Sequence, residues 1–376
     1  MTKKAPRLLS TEVYPKTLLL GIRAPYNKTE HIDTYYNEFL KLAESCKIVE
    51  PLTYFIHIRS IDSGYFLTEG KRLEIQKICD EQKIEHVVIS EPLTPQQRRN
   101  LRKLFKCDVF DRTDLILEIF DKSAISGEGK LQVAIAKLEH KKTLLSGHGI
   151  GLAQQKGVIG VRSGFGETLK EKETRIIDDR IRTLKKQLSA LFKTRETQRK
   201  KRISGSLPLI CLVGYTNAGK STILNLLTKS SVLVEDRLFA TLDTTTRELY
   251  IDSKKVALIS DTVGFLQLLP PQLIEAFKST LSELQYADLL LHVVDIADPD
   301  FELHISVVQS ILRDLGVEKP LLYVFNKADR VNAKDPKFAH VIDQYQPNVV
   351  IDALSKEGAE PLIRYLKMTC ETEKTK

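Results

Sequence analysis

The sequence has no tryptophan, two methionines and only five cysteines in 376 residues. The cysteines are scattered and odd in number, and no pair has the spacing of a metal site or of a disulfide framework. Apolar stretches such as residues 287–295 are too short to cross a bilayer. The basic N-terminus leads into no apolar run of the signal-peptide type. These absences predict a cytoplasmic protein without a transmembrane segment, and we expect a monomer.

Charge is unevenly distributed along the chain. The net charge is +8 overall, but residues 1–206 carry +13 and residues 207–376 carry −5. Residues 185–202 alone hold eight lysines and arginines against one glutamate. A basic half of this kind predicts a polyanionic partner. For the short basic run taken alone, a solvated helix end followed by a linker is the competing interpretation.

Hydrophobic patterning separates an N-terminal region from a helical one. In residues 16–110 short apolar strands alternate with helical stretches, which predicts a small α/β domain with a mainly parallel sheet. Residues 130–145 and 171–193 then form two helical stretches around a glycine-rich segment, which predicts a helical hairpin. The second stretch has a heptad-like apolar seam made of Ile177, Ile181, Leu184, Leu188 and Leu191.

A linker at residues 202–208 leads into a second alternation of strands and helices. We therefore expect an N-terminal α/β domain at residues 1–115, a long helical hairpin with a glycine-rich loop at residues 116–202, and a second α/β domain at residues 207–371.

A glycine-rich loop opens the second α/β region. The apolar strand at residues 209–213 is followed by Gly214-Tyr-Thr-Asn-Ala-Gly-Lys-Ser221 and a helical stretch. This setting of G-x-x-x-x-G-K-S predicts a P-loop, whose backbone N–H groups and helix N-terminus bind phosphates. We expect Lys220 to reach the β- and γ-phosphates and Ser221 to bind Mg²⁺. The predicted phosphate-binding residues are Gly214, Tyr215, Thr216, Asn217, Ala218, Gly219, Lys220 and Ser221.

A second motif selects the base. Asn326-Lys327-Ala328-Asp329 follows the predicted strand at residues 321–325, about a hundred residues after the P-loop. N-K-x-D in this position is the guanine-reading element of GTPases. Asp329 would accept hydrogen bonds from guanine N1–H and the exocyclic amine, a donor pair that adenine lacks. We expect Asn326 to tie this loop to the P-loop and the stem of Lys327 to cover the base.

The predicted strand at residues 255–260 leads into Asp261-Thr262-Val263-Gly264. We expect Asp261 to hold Mg²⁺ through water and the Gly264 N–H to sense the γ-phosphate. Upstream, residues 239–247 are rich in threonine and form a candidate switch whose threonine completes the Mg²⁺ shell only with GTP. The residues alone leave Thr241 and Thr245 both open for that role, and a merely polar loop is the alternative.

Phe265 occupies the position after Gly264, where many GTPases carry a glutamine that orients the attacking water. Because a phenyl ring cannot orient water, we expect slow intrinsic hydrolysis that a partner, a switch rearrangement or an additional cation accelerates. Asn217 is a candidate ligand for such a cation, K⁺, and its competing interpretation is a residue that stabilises the loop.

The motifs together resemble those of HflX-type GTPases. The resemblance is carried in the second half by residues 214–221, 239–247, 261–271 and 289–295. In the first half it is carried by Tyr65-Phe-Leu-Thr-Glu-Gly-Lys71, Asp111-Arg-Thr-Asp-Leu-Ile-Leu117, Glu128-Gly-Lys-Leu-Gln-Val133 and Gly164-Phe-Gly-Glu-Thr168. It covers about residues 16–366.

The resemblance implies an α/β protein in which the N-terminal α/β domain and hairpin precede a Ras-like P-loop GTPase domain. It implies binding of GTP and GDP with Mg²⁺, and docking of the N-terminal region on the large ribosomal subunit and its rRNA. It also implies that the Mg²⁺-binding threonine is Thr241, with Lys220 and Gly264 as the other catalytic residues. The implied switch contacts are Phe239, Ala240, Thr241, Leu242 and Asp243.

The sequence departs from the family pattern in three places. The last guanine-contacting loop has Asp352-Ala353-Leu354 where the family usually has Ser-Ala, and we expect the Ala353 N–H to read guanine O6. Leu169-Lys170 replaces Gln-Leu after the glycine-rich segment. The chain ends soon after its last predicted helix, so we expect the additional C-terminal domain of many family members to be absent.

These inferences predict a Mg²⁺-dependent GTPase that binds the large ribosomal subunit and splits or rescues stalled ribosomes. The alternative is a GTP-switched assembly or binding factor without splitting activity. A third hypothesis is nucleotide-dependent RNA remodelling by the N-terminal domain, where the sequence has no second P-loop.

Overall fold

The chain folds into two compact units. Our computed structural model describes residues 15–27, 29, 31–146, 169–203, 207–228, 238–239, 245–331 and 336–372. The first unit comprises Met1–Ile119 and Val133–Gln187, and the second comprises Phe120–Gln132 and Leu188–Lys376. No helix in these described segments has both the length and the apolar composition needed to cross a membrane.

A parallel sheet forms the centre of the first unit, as predicted. Its four strands have the order β2-β1-β3-β4 and are all parallel. The strands are β1 (Thr17–Arg23), β2 (Leu52–His57), β3 (His86–Ile89) and β4 (Asp108–Asp111), and the helices between them are α1 (Ile32–Ser45), α2 (Glu69–Gln82) and α3 (Pro95–Phe105). The central strand β1 is almost entirely buried because helices cover both faces of a parallel sheet.

Helix α3 and strand β4 are elements that the sequence analysis did not separate. Helix α3 begins with a capping box, in which the Thr94 hydroxyl accepts from the Gln97 N–H at 3.2 Å and the Gln97 side chain accepts from the Thr94 N–H at 2.9 Å. Strand β4 continues directly into α4 (Arg112–Ser123). There Asp111 and Asp114 cap each other's backbone N–H groups, at 3.1 and 2.9 Å.

The predicted helical hairpin is present as α5 (Gly127–Ser146) and α6 (Leu169–Ile203). Four residues of the predicted seam are buried, namely Ile177, Ile181, Leu184 and Leu188. The fifth, Leu191, is 42% exposed, so the buried part of the seam ends at Leu188. The glycine-rich segment lies within residues 147–168, which are outside the described residues. The side chains at residues 169–170, where the sequence departs from the family pattern, are also outside the description.

Among the described side chains of the first unit, three ion pairs join the two helices. Lys185 pairs with Glu139 at 2.8 Å, Lys142 with Asp178 at 2.6 Å and Lys141 with Glu173 at 3.0 Å. Lys141 and Lys142 follow Glu139 on α5, but their partners on α6 precede Lys185, which is the order of an antiparallel pair.

The second unit is built on a six-stranded sheet with the order β10-β9-β8-β5-β7-β6. Only β6 is antiparallel to its neighbour. The strands are β5 (Leu209–Gly214), β6 (Thr245–Ile251), β7 (Lys254–Asp261), β8 (Leu289–Asp295), β9 (Leu321–Asn326) and β10 (Asn348–Val350). The helices are α7 (Lys220–Thr228), α8 (Pro271–Leu281), α9 (Phe301–Asp314), α10 (Pro336–Asp343) and α11 (Glu360–Thr372).

Each predicted strand of this region is found, within a few residues of its expected ends. Because β5, β7, β8, β9 and β10 are parallel, their carboxyl ends meet at one edge of the sheet. The P-loop, the Asp261–Gly264 segment, the Asn326–Asp329 segment and the Asp352–Leu354 loop each follow one of these strands. The topology therefore brings all four motifs to that edge.

Candidate nucleotide-binding site

The P-loop connects the end of β5 to the start of α7. Gly219 has a φ of +99°, and a Cβ there would lie 2.2 Å from Nδ2 of Asn326. An L side chain at residue 219 would therefore be strained and would collide with the guanine-reading segment. The loop is shaped by its contact with Asn326 as well as by its own backbone.

Lys220 is folded back into the P-loop. Its Nζ donates hydrogen bonds to the carbonyl oxygens of Tyr215 at 2.7 Å and of Gly214 at 3.1 Å. Burial lowers the pKa of Lys220 to about 8. Burial, followed by the nearby charge of Lys220, lowers the pKa of His292 on β8 to about 3, so that imidazole is neutral. A bound triphosphate would give the Lys220 ammonium partners of opposite charge.

Ser221 and Asp261 meet where a metal ion is expected. The Ser221 hydroxyl donates to Oδ2 of Asp261 at 2.6 Å, from the first turn of α7 to the end of β7. Hydroxyl and carboxylate oxygens are ligands that Mg²⁺ prefers, so this pair fits the predicted ion. An Mg²⁺ ion held by these residues would neutralise negative charge on the phosphates of the nucleotide.

The segment after β7 lies against the P-loop backbone. Thr216 N–H donates to the Phe265 carbonyl at 2.7 Å, and Phe265 N–H donates to the Gly214 carbonyl at 3.1 Å. A Cβ on Gly264 would lie 2.9 Å from Cγ2 of Thr216 and 3.0 Å from Nζ of Lys220. Gly264, which is predicted to sense the γ-phosphate, therefore lies next to the Lys220 amine, which is predicted to bind phosphates.

The Thr262 side chain joins this segment to strand β5, and the next residues are buried. The Thr262 hydroxyl donates to the Leu212 carbonyl at 2.6 Å. The neighbouring Val263 is buried, and the Phe265 ring is 2% exposed. A buried hydrocarbon ring offers no hydrogen-bonding group to a water molecule.

Asn326 joins three elements of the site. Its Nδ2 donates to the Ala218 carbonyl in the P-loop at 2.9 Å, and its Oδ1 accepts from the Ala353 N–H at 3.2 Å. The predicted tie between Asn326 and the P-loop is thus present. Asp329 follows in a short 3-10 turn with Ala328, and its carboxylate is one-third exposed.

Lys327 forms a link that the sequence analysis missed. Its Nζ donates to the Asn217 carbonyl at 2.9 Å and pairs with Asp295 at 2.6 Å, while its backbone has a φ of +64°. Asp295 ends β8, and it lies opposite Asn326 in the sheet. The only clue to this ion pair was the aspartate at the end of an apolar strand.

Asp352, which stands where the family usually has serine, forms a turn in the last guanine-contacting loop. Its Oδ1 accepts a hydrogen bond from the Leu354 N–H at 2.9 Å, which is an Asx turn of the kind that serine also forms. The Asp352 N–H donates to the Gly358 carbonyl at 3.1 Å. Leu354 itself is 75% exposed. The aspartate therefore supplies the acceptor that closes this loop.

The switch prediction is only partly within the described residues. Ala240, Thr241, Leu242 and Asp243 lie outside them. Thr245 begins β6, opposite Asp261 in the sheet. Phe239 is buried, and its ring centroid lies 4.5 Å from that of Phe120, which also contacts Phe277 at 5.1 Å.

The first unit contains a polar cluster made of Asp111, Asp114 and His140. Their potential ligand atoms lie within 4.8 Å of one another. However, the guanidinium of Arg98 pairs with Asp114 at 2.9 Å, and both carboxylates cap the start of α4. The arginine already supplies the positive charge, so these residues serve a structural cap.

Comparison with known proteins identifies the family. Three family models match consecutive parts of the chain: a GTP-binding GTPase N-terminal model at residues 33–121, a GTP-binding GTPase middle-region model at residues 123–202 and a 50S ribosome-binding GTPase model at residues 209–327. GTPase HflX of Magnetococcus marinus is 37% identical over 96% of this chain and 83% of its own length. The chain belongs to the HflX GTPase family.

Other relatives agree with this assignment. HflX of Escherichia coli is 40% identical over 80% of this chain and 71% of its own length. HflX of Caldanaerobacter subterraneus is 44% identical, and that match spans 63% of the relative. The crystal structure of SsGBP in complex with GDP is 25% identical, with a TM-score of 0.51 over 95% of this chain and 99% of that one. The HflX fold, an α/β unit and helical middle region followed by a P-loop GTPase domain, is thus shared.

Proposed function

We propose that this HflX-family protein is a Mg²⁺-dependent GTPase that binds the large ribosomal subunit and uses GTP to split or rescue stalled ribosomes. The observation that carries the nucleotide part is the convergence of Lys220, the Ser221–Asp261 pair and Asn326 at one sheet edge. The family model described as a 50S ribosome-binding GTPase supports the ribosomal part.

The proposed mechanism assigns a role to each group at that edge. Lys220 leaves the P-loop carbonyls and contacts the β- and γ-phosphates. Ser221, the switch residue Thr241 and, through water, Asp261 would hold Mg²⁺, and the Gly264 N–H would contact the γ-phosphate. Asp329 reads guanine, and the Ala353 N–H, which donates to Asn326 Oδ1 in the nucleotide-free protein, turns to guanine O6. Loss of the γ-phosphate on hydrolysis releases the contacts at Thr241 and Gly264.

Hydrolysis without a partner is proposed to be slow. Phe265, whose ring is buried, would stand where many GTPases carry a water-orienting glutamine. A K⁺ ion bound through Asn217 would add positive charge beside the phosphates; the Asn217 carbonyl already accepts from Lys327. The rate of GTP hydrolysis in K⁺ and Na⁺ buffers tests this role, and equal rates would contradict it.

Binding to rRNA is proposed to use the basic first half of the chain. Lysine and arginine contacts to phosphates would make the association salt-sensitive and largely independent of sequence. Lys185, at the start of the basic run, pairs with Glu139. Charge reversal in that run should weaken co-sedimentation with the large subunit.

The alternative is a GTP-switched assembly or binding factor without splitting activity. A nucleotide site that hydrolyses GTP slowly would also suit such a factor. Light scattering of intact ribosomes mixed with the protein and GTP discriminates the two, because splitting lowers the scattered intensity. Co-sedimentation with separated subunits, in GDP or a non-hydrolysable GTP analogue, reports binding in parallel. Lys220→Ala is the matched control that should lose tight GTP binding. Subunit binding with no loss of scattering would favour the alternative.

A further inference from the structure

The side chain of Tyr215 makes contacts that a phosphate-binding role does not require. Tyr215 is the second residue of the P-loop, and its ring stacks face to face on the His304 imidazole of α9. The ring centroids are 3.7 Å apart and the planes differ by 11°. Both residues are buried. The stacking fixes the plane of the phenol and so the direction of its hydroxyl group.

That hydroxyl contacts the segment that follows Gly264. The Gln267 N–H donates to the Tyr215 hydroxyl at 2.9 Å. Two residues earlier, Phe265 is paired with the P-loop backbone through two hydrogen bonds. Leu268, the next residue, has a φ of +55° and is 41% exposed. Hydrogen bonds to the P-loop therefore hold the chain at residues 265 and 267, and the next residue, Leu268, is exposed.

We propose that Tyr215 is a positioning residue for GTP hydrolysis, whose hydroxyl holds residues 265–267 so that the Gly264 N–H faces the γ-phosphate. The proposal rests on the proposed GTPase activity. Gly264 is packed between Thr216 and Lys220, with less than 3.1 Å available to an added Cβ. A small displacement of this segment would therefore change the distance between the Gly264 N–H and the phosphate.

The geometry separates the contribution of the hydroxyl from that of the ring. Phenylalanine at position 215 would keep the stacking on His304 and the backbone pairing, but it would leave the Gln267 N–H without this acceptor. A single hydrogen bond contributes about 1 kcal/mol, which corresponds to roughly a fivefold change in rate. GDP lacks the γ-phosphate, so its affinity should not depend on the position of Gly264.

The test compares Tyr215→Phe with the unmodified protein. We expect kcat for GTP to fall about fivefold and the affinity for GDP to stay within twofold. Tyr323→Phe is the matched control, because the Tyr323 hydroxyl accepts from Gln309 at 2.6 Å in the same unit without contacting the P-loop. His304→Phe should preserve the rate, whereas His304→Ala should lower it as Tyr215→Phe does.

Amide hydrogen exchange gives a readout that does not depend on hydrolysis. Tyr215→Phe should speed exchange of residues 264–268 in the nucleotide-free protein, while Tyr323→Phe should leave it unchanged. Unchanged exchange and unchanged kcat in Tyr215→Phe would overturn the positioning role. Absence of GTP hydrolysis by the unmodified protein would instead contradict the proposed function, and the exchange result would still decide the role of Tyr215.

Discussion

Asn326 in β9 donates a hydrogen bond to the carbonyl oxygen of Ala218 in the P-loop, across 108 positions of sequence. The same side chain accepts from the Ala353 N–H. One buried amide thus joins the phosphate-binding loop, the guanine-reading segment and the last guanine-contacting loop. Affinity for the base and affinity for the phosphates should therefore change together when this amide is altered.

Asn326→Ala should weaken binding of GTP and GDP by roughly 5- to 150-fold, because removing a buried hydrogen-bonding group costs about 1–3 kcal/mol. Fluorescence titration with labelled nucleotides measures both affinities. Asn348→Ala is the matched control: Asn348 donates to the carbonyls of Ile342 and Tyr345, at the start of β10. A loss confined to one of the two nucleotides would contradict the shared role of Asn326.

Asp329→Asn should shift preference from GTP to XTP, since xanthine presents an acceptor where guanine has its exocyclic amine. We expect the ratio of the two affinities to change by at least tenfold, as expected when a buried polar contact is mismatched. Asp314→Asn, at the exposed end of α9, is the matched control. Full GTP affinity in the Asp329 variant would show that another group reads the base.

Asp352→Ser should keep guanine-nucleotide affinity within a few-fold, because serine can also accept from the Leu354 N–H. Asp352→Ala removes that acceptor and should weaken affinity by about 1 kcal/mol, roughly fivefold. Thermal unfolding of both variants separates this effect from a loss of stability. If serine and alanine gave the same affinity, the Asx turn would not be what positions Ala353.

Nucleotide binding should take up a proton at alkaline pH. In the free protein the pKa of Lys220 is lowered to about 8, against about 10.4 in an unfolded chain. Between these values the folded protein holds fewer protons than the unfolded one, so this group makes the free energy of unfolding rise with pH. Bound phosphates favour the charged ammonium form of Lys220. They therefore oppose the effect of burial, which lowers its pKa.

Affinity for GDP should therefore fall as the pH rises above about 8, with uptake of up to about one proton at pH 8.5 and nearly none at pH 7. Calorimetry in two buffers of different ionisation enthalpy measures that uptake. The Lys220→Arg variant, whose guanidinium stays charged, should show none. Equal uptake at both pH values would contradict the assigned pKa.

The parts of the site that could be predicted are those carried by local sequence. The P-loop and the segments at Asp261 and Asn326 each consist of a strand followed by a characteristic loop, so a short window contains the signal. Helix α3 was missed because its sequence is mostly polar, and β4 because an aspartate stands on each side of its two apolar residues. The contacts of Tyr215 with His304 and Gln267 join distant positions, and no local pattern encodes them.

The three ion pairs between α5 and α6 have a consequence for experiments on RNA binding. These lysines and carboxylates are partly exposed, and such pairs contribute about 0.2–1 kcal/mol each and weaken as salt is added. Ionic strength therefore acts on the hairpin itself as well as on its contacts with phosphates. The logarithm of ribosome affinity should therefore fall more steeply with the logarithm of salt concentration than the phosphate contacts alone would predict. Replacing the Lys185–Glu139 pair by an uncharged pair should reduce that excess slope.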